Sequence, residues 1–168
     1  PAAFRREYLG QWVDDKKALC YQLGPGNSYV GPIPFGSDPG CMVTIALDLG
    51  GASVENPHLD HCAWAGCISH PMSPVIYVPM CSKAADMTPT RLGIEALKLI
   101  EQYRIAGQPD PLVLVDSAGA GKLVEMQFKK MGMAVRCHIK GPKKQRIQLV
   151  QHAIGAGEMK FAYSETAD

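Results

Sequence analysis

No stretch of the 168 residues approaches 18 uninterrupted apolar positions, and the N-terminal region has no charged segment leading into an apolar one and a small-residue cleavage site. Neither a membrane-spanning helix nor a secretory leader is expected, and no membrane partner. The six cysteines, at 20, 41, 62, 67, 81 and 137, lack the dense spacing of a secreted disulfide scaffold. Reduced thiols and an intracellular, cytoplasmic setting are the expectation. Acidic residues are missing between Glu125 and Glu158, where Lys129, Lys130, Arg136, Lys140, Lys143, Lys144 and Arg146 fall. That segment carries +7, leaving −6 on the rest of a chain whose total is +1. Such an asymmetry is either a polyanion footprint or a solvated helix face.

A phosphate-binding P-loop is lacking too. Around Ser117 to Lys122, Asp116 stands where the first glycine is required, and Leu123 where Ser or Thr must follow the lysine. His58, His61, Cys62 and Cys67 invite a zinc reading, but Cys62 and Cys67 are an odd number of residues apart and point to opposite faces of one strand. His138 and His152 sit in apolar or helical surroundings and read as packing or surface residues. At this length the chain suits one domain with a real core.

What the sequence does have is an apolar run over residues 43–51 that delivers one carboxylate, Asp48, either a solvent-exposed strand-end cap or a functional acid, and stops at Gly50 and Gly51. Continuous apolarity of this kind predicts a central strand covered on both faces. Residues 1–40 differ: Gly24 to Gly40 is rich in Gly and Pro, which fits turns and short edge strands and reads as an incoming linker, with Tyr8 and Trp12 as its anchors. After Asp48, residues 61–69 and 74–79 predict two more strands in an antiparallel meander. Thr88-Pro89 opens a helix carrying Leu92, Ala96, Leu99, Ile100 and Tyr103 at helical spacing.

Residues 111–116 then repeat the first design, an apolar strand ending in Asp116 and running into Ser117-Ala118-Gly119-Ala120-Gly121. A helix over 121–131 follows, with Leu123, Val124, Phe128 and Met131 expected inward and Gly132 closing it. A strand over 133–139, a helix over 143–154 with Ile147, Val150 and Ile154 inward, and an edge strand over 159–162 complete the order β-β-β-α-β-α-β-α-β. The class is α/β, a mixed sheet of three antiparallel strands and then parallel ones, flanked by helices. If the two Asp-terminated strands are neighbours, Asp48 and Asp116 stand side by side at the carboxyl edge. Like charges so placed call for a cation; hard oxygen donors suit Mg²⁺ or Mn²⁺, and two such ions about 3.5–4 Å apart can drive phosphodiester cleavage.

Four pieces in order carry a resemblance: Phe4-Arg5-Arg6-Glu7-Tyr8-Leu9-Gly10-Gln11-Trp12-Val13, Ile45-Ala46-Leu47-Asp48-Leu49-Gly50, Val113-Leu114-Val115-Asp116-Ser117-Ala118-Gly119-Ala120-Gly121, and Gly141-Pro142-Lys143-Lys144-Gln145-Arg146 leading to Gly157-Glu158-Met159-Lys160-Phe161. Together they resemble the C-terminal nuclease domain of tailed-phage terminase large subunits. The resemblance implies an RNase H-like fold and a metal-dependent endonuclease that cuts concatemeric viral DNA during genome packaging. It implies residues 1–40 as a linker from an upstream ATPase domain and 41–168 as the nuclease domain, truncated at its C-terminus. Asp48 and Asp116 become catalytic metal ligands for Mg²⁺ or Mn²⁺, two ions when DNA is bound. Lys140, Lys143, Lys144 and Arg146 become phosphate contacts, and Gly50, Gly51 and Gly119 let a polyanion approach the backbone.

Implied partners are double-stranded DNA, the terminase small subunit and the portal protein, in the host cell cytoplasm. The family carries a third acidic residue on a later element; here only Glu165 and Asp168 remain after residue 162, neither in the expected pattern. Two other readings stay open. One is a noncatalytic DNA-binding or assembly module of the same fold. The other is a fragment of an actin-like sugar kinase, because Asp48-Leu49-Gly50-Gly51 also resembles that family's first phosphate motif.

Overall fold

The computed structural model of the protein describes residues 23–33, 38–50, 61–106, 108–116, 121–138 and 141–162. Along them run β1 (Ser28–Tyr29), β2 (Met42–Asp48), β3 (Cys62–His70), β4 (Ser73–Ala84), α1 (Pro89–Tyr103), β5 (Leu112–Asp116), α2 (Gly121–Lys130), β6 (Val135–His138), α3 (Lys143–Gly155) and β7 (Met159–Ala162), with a 3-10 turn at Pro25–Asn27 ahead of β1. The strands form one mixed sheet in the spatial order β1-β7-β4-β3-β2-β5-β6. β2, β3 and β4 are the antiparallel meander; β5 lies parallel to β2, β6 to β5, and β7 to both β4 and β1.

The connections divide the helices between the two faces. The crossovers β4-α1-β5 and β5-α2-β6 travel one way across the sheet, and β6-α3-β7 travels back. Right-handed crossovers then put α1 and α2 on one face and α3 on the other. The first face is the core: Ile45, Leu47, Val113, Val115 and Val135 pack against Leu92, Ala96, Leu99 and Ile100 of α1 and Val124 and Phe128 of α2. α1 begins where the sequence predicts, because the Thr88 hydroxyl accepts a hydrogen bond from the Arg91 N–H and Pro89 needs no partner for its nitrogen. Gly132, at φ +84°, ends the α2 region.

Several expectations from sequence change in the structure. β2 is covered on one face only: Ile45 and Leu47 are buried, while Ala46 and Asp48 are exposed. Its continuous apolarity reflects small side chains on the second face, not burial on both. β4 runs on to Ala84, past Pro79, where a strand end is expected from sequence. Three steps on β4, from Tyr77 to Met80, face two on β3, from Ile68 to Gly66, so a bulge absorbs the proline that a regular ladder would exclude. Leu123 points outward and is 70% exposed, because the buried line of α2 passes through Gly121, Val124 and Phe128 and leaves position 123 a full 100° step away.

β7 is not the edge, because β1 pairs outside it, with Ser28 opposite Phe161 and Tyr29 opposite Ala162. Part of the Gly- and Pro-rich segment is thereby built into the sheet; Tyr8 and Trp12 lie outside the described residues. Asn27 fixes the segment there: its Nδ2 donates to the carbonyls of Ile154 (2.8 Å) and Met159 (3.1 Å), and its Oδ1 accepts from the Gly24 N–H (2.8 Å). Tyr29 stacks edge-on against Tyr77, ring centroids 5.2 Å apart. Asn27→Ala strips three backbone groups of a buried partner and is expected to lower stability by about 2 kcal/mol, readable in a urea titration. Asn27→Asp, which still accepts but cannot donate, should recover little of it.

Candidate functional site

The two carboxylates meet because of register. β2 and β5 pair Thr44 with Leu112, Ile45 with Val113, Ala46 with Leu114 and Leu47 with Val115. The next step along both strands brings Asp48 opposite Asp116. Strand residues in register share a face, and adjacent strands lie about 4.8 Å apart. Asp48 also stands opposite Ala63 of β3, and Asp116 opposite His138 of β6. Ala63 in turn faces Lys83 of β4. One row of the sheet therefore reads Lys83, Ala63, Asp48, Asp116, His138, on the face opposite the main core.

This row borders a cleft of about 440 Å³. Its lining includes Ala46, Ala63, Ala65 and Cys81 as a floor of small residues, Leu114, the two aspartates, His138, and Arg146 from α3. The floor is open because α3 covers this face only in part: Ile154 is buried, and Ile147 and Val150 are half-buried. Asp48 is exposed and Asp116 half-buried, so both carboxylates keep access to solvent and to anything entering the cleft.

The backbone of Asp116 is held from behind. A Cβ on Gly121, the first residue of α2, would collide with the Asp116 carbonyl oxygen. Only glycine lets α2 start against the strand end. Gly50 donates its N–H to Cys62 Sγ (3.3 Å), while Gly51 and Gly119 lie outside the described residues.

Of the basic residues singled out from sequence, Arg146 reaches the cleft; its Nε donates to the Gly141 carbonyl (3.0 Å), which ties it to the turn that opens α3. Lys144 is exposed on α3, outside the cleft lining. Lys143 begins α3 but its side chain is not described, and Lys140, Glu165 and Asp168 lie outside the described residues. His138, read from sequence as a packing or surface residue, is exposed and lines the cleft beside Asp116. The signal is present as parity: Val135 and Cys137 belong to the covered side of β6, which turns position 138 to the face of Asp116.

The donor chemistry fits a hard divalent cation. Two in-register carboxylates are oxygen donors of the same charge, and their repulsion is relieved by a cation held between them. Cys81 lines the cleft, whereas Cys67 and Cys137 do not; burial, and secondarily Cys81, pushes the Cys67 thiol up, and burial followed by the Glu125 carboxylate does so for Cys137. Among the described residues no three His, Cys, Asp or Glu side chains surround one point, as expected of donors strung along a row.

No protein-family model matches the sequence, and no curated protein does. The structure resembles solved phage proteins at low sequence identity. The nuclease domain of the P22 large terminase superimposes with a TM-score of 0.61 at 14% identity, over 85% of this chain and 71% of that one. The large terminase nuclease of thermophilic phage G20c gives 0.54 at 14%, over 76% and 62%. The large terminase of a second thermophilic bacteriophage gives 0.59 at 16%, over 85% of this chain and 34% of its own. The G20c nuclease is also known with bound zinc, magnesium and cobalt. The chain thus shares the fold of these large terminase nuclease domains, and no helix among the described residues is long and apolar enough to cross a membrane.

Proposed function

We propose that this chain is a metal-dependent DNA endonuclease domain, acting on double-stranded DNA by two-ion phosphodiester hydrolysis. The observation that carries the reading is the register that brings Asp48 and Asp116 together at the ends of adjacent parallel strands, in a cleft that Arg146 also lines. Asp48 and Asp116 are the ligands for Mg²⁺ or Mn²⁺, which when bound would activate water and neutralise charge on the leaving oxygen. Asp116, backed by α2, is the fixed member of the pair. Arg146 is poised to hold a nonbridging phosphate oxygen with a planar guanidinium, Lys144 extends the phosphate track along the start of α3, and Lys140 and Lys143 are assigned to phosphate contact from the sequence pattern alone.

By likeness to the large terminases, the substrate is concatemeric viral DNA and the setting is genome packaging in the host cytoplasm. A linker within residues 1–40, whose Asn27–Tyr29 portion is already part of the folded domain, leads from an ATPase domain into the nuclease domain at 41–168, and the terminase small subunit and portal protein are partners. The chain spans 34% of the second thermophilic phage's large terminase, so these belong to the larger protein.

Incubation with supercoiled plasmid and Mn²⁺ or Mg²⁺ tests the activity. Conversion to nicked and linear forms, stopped by a chelator, is expected. Salt-dependent binding without any cleavage in either ion would instead favour the noncatalytic DNA-binding module. Lys144→Ala and Arg146→Ala are each expected to reduce affinity for all DNA sequences alike and to flatten the slope of log affinity against log salt by about 1. A sequence-selective loss would contradict phosphate contact.

A further inference from the structure

His138 is the third donor in the carboxylate row. It stands opposite Asp116 in the β5–β6 pairing, shares its sheet face, is exposed, and lines the same cleft as Asp48 and Asp116. Nothing in the main core requires an imidazole there, since the covered side of β6 is occupied by Val135 and Cys137. We propose that His138 is a metal ligand of this chain, holding with Asp116 one of two ion positions, the other lying between Asp116 and Asp48. The inference rests on the reading of Asp48 and Asp116 as a metal pair.

The arrangement follows from the row. Asp48 and His138 are separated by two strand spacings, about 9.6 Å between backbones, so the outer donors do not share one ion with each other. Each can share one with Asp116, the middle member. This is also why no three donors among the described residues surround a single point. Two neighbouring ion positions are what phosphodiester cleavage uses, with ions about 3.5–4 Å apart.

The two positions differ in chemistry. The Asp48–Asp116 position offers oxygen alone and suits Mg²⁺ or Mn²⁺ equally. The Asp116–His138 position mixes oxygen with imidazole nitrogen, a borderline donor that favours Mn²⁺, Co²⁺ or Zn²⁺ over Mg²⁺. The imidazole therefore sets ion preference at one of the two positions. Arg136, two residues earlier on β6 and exposed on the same face, and Arg146 across the cleft leave the anionic phosphate, not a second cation-binding group, as their natural partner.

The test is metal binding by the intact chain. Mn²⁺ bound to the wild type should show ¹⁴N hyperfine coupling from an imidazole in spin-echo spectra, and His138→Ala should abolish it. By calorimetry His138→Ala should weaken Co²⁺ binding at least tenfold while changing Mg²⁺ binding less than threefold. His138→Asp should restore binding and shift the preference towards Mg²⁺. His152→Ala, an exposed imidazole on the last turn of α3, should leave both unchanged, and thermal melts of each variant report whether the fold is intact. Nitrogen coupling or Co²⁺ affinity that survives His138→Ala overturns the inference. Ion binding that depends on Asp48 and Asp116 but shows no nitrogen coupling overturns it too, and leaves the carboxylate pair standing. Absence of any ion binding by the wild type removes both.

Discussion

Gly121→Ala lowers stability by about 3 kcal/mol and weakens metal binding and DNA cleavage further than that loss alone explains. The added methyl would collide with the carbonyl oxygen of Asp116 and sit 2.9 Å from its carbonyl carbon. A flexible side chain could swing away from such a contact. The backbone of β5 cannot, because it is paired on both sides, with β2 and with β6, and its Val113 and Val115 are buried in the core. Either α2 retreats, unpacking Val124 and Phe128, or the end of β5 is pushed out of line. Both responses move Asp116, and a metal-binding group tolerates only about 0.5 Å of displacement. Chemical denaturation measures the first effect and Mn²⁺ titration the second. A variant that is neutral in both would show that α2 does not abut the strand end in this way.

Asp48→Asn and Asp116→Asn are each expected to reduce plasmid cleavage by at least about 10³-fold while leaving stability unchanged or raised by up to about 1 kcal/mol. The opposite signs distinguish the readings of a strand-end aspartate. Like charges directly opposite one another on neighbouring strands destabilise a sheet, so neutralising one of them removes repulsion. If the pair exists to hold ions, activity falls as stability holds or rises. If either residue is instead a cap for its turn, the asparagine variant keeps activity or loses stability. The double variant should cleave no worse than the more damaged single one, because both residues act through the same bound ions.

Much of this is legible in the sequence. Two apolar strands each ending in an aspartate, with two strands and one helix between them and two more helices beyond, point to the element order and, once those strands are neighbours, to the acidic pair. What stays hidden is what local patterns do not encode. β1 is two residues long, too short for any alternation to register, and it exists because Asn27 anchors it to Ile154 and Met159, more than 120 residues away. The extension of β4 depends on a bulge that absorbs Pro79, and a single strand shows no bulge without its partner. Leu123 is apolar beside an apolar neighbour, and which of the two turns inward is decided by the phase of α2 against the sheet. The open second face escapes a sequence reading because Ala46, Ala63 and Ala65 look like core residues and are in fact the small floor of a cleft. His138 escapes it for a related reason: its significance lies in standing next to Asp116, a relation set by parallel register across 22 residues of chain.

Manganese titration followed by calorimetry on the wild type and the Asp48→Asn and Asp116→Asn variants is the most direct test of the carboxylate pair. Binding by the wild type that falls at least tenfold in each variant, with unchanged thermal melts, is the expected result. Undiminished Mn²⁺ binding and undiminished plasmid nicking by the double variant would contradict it.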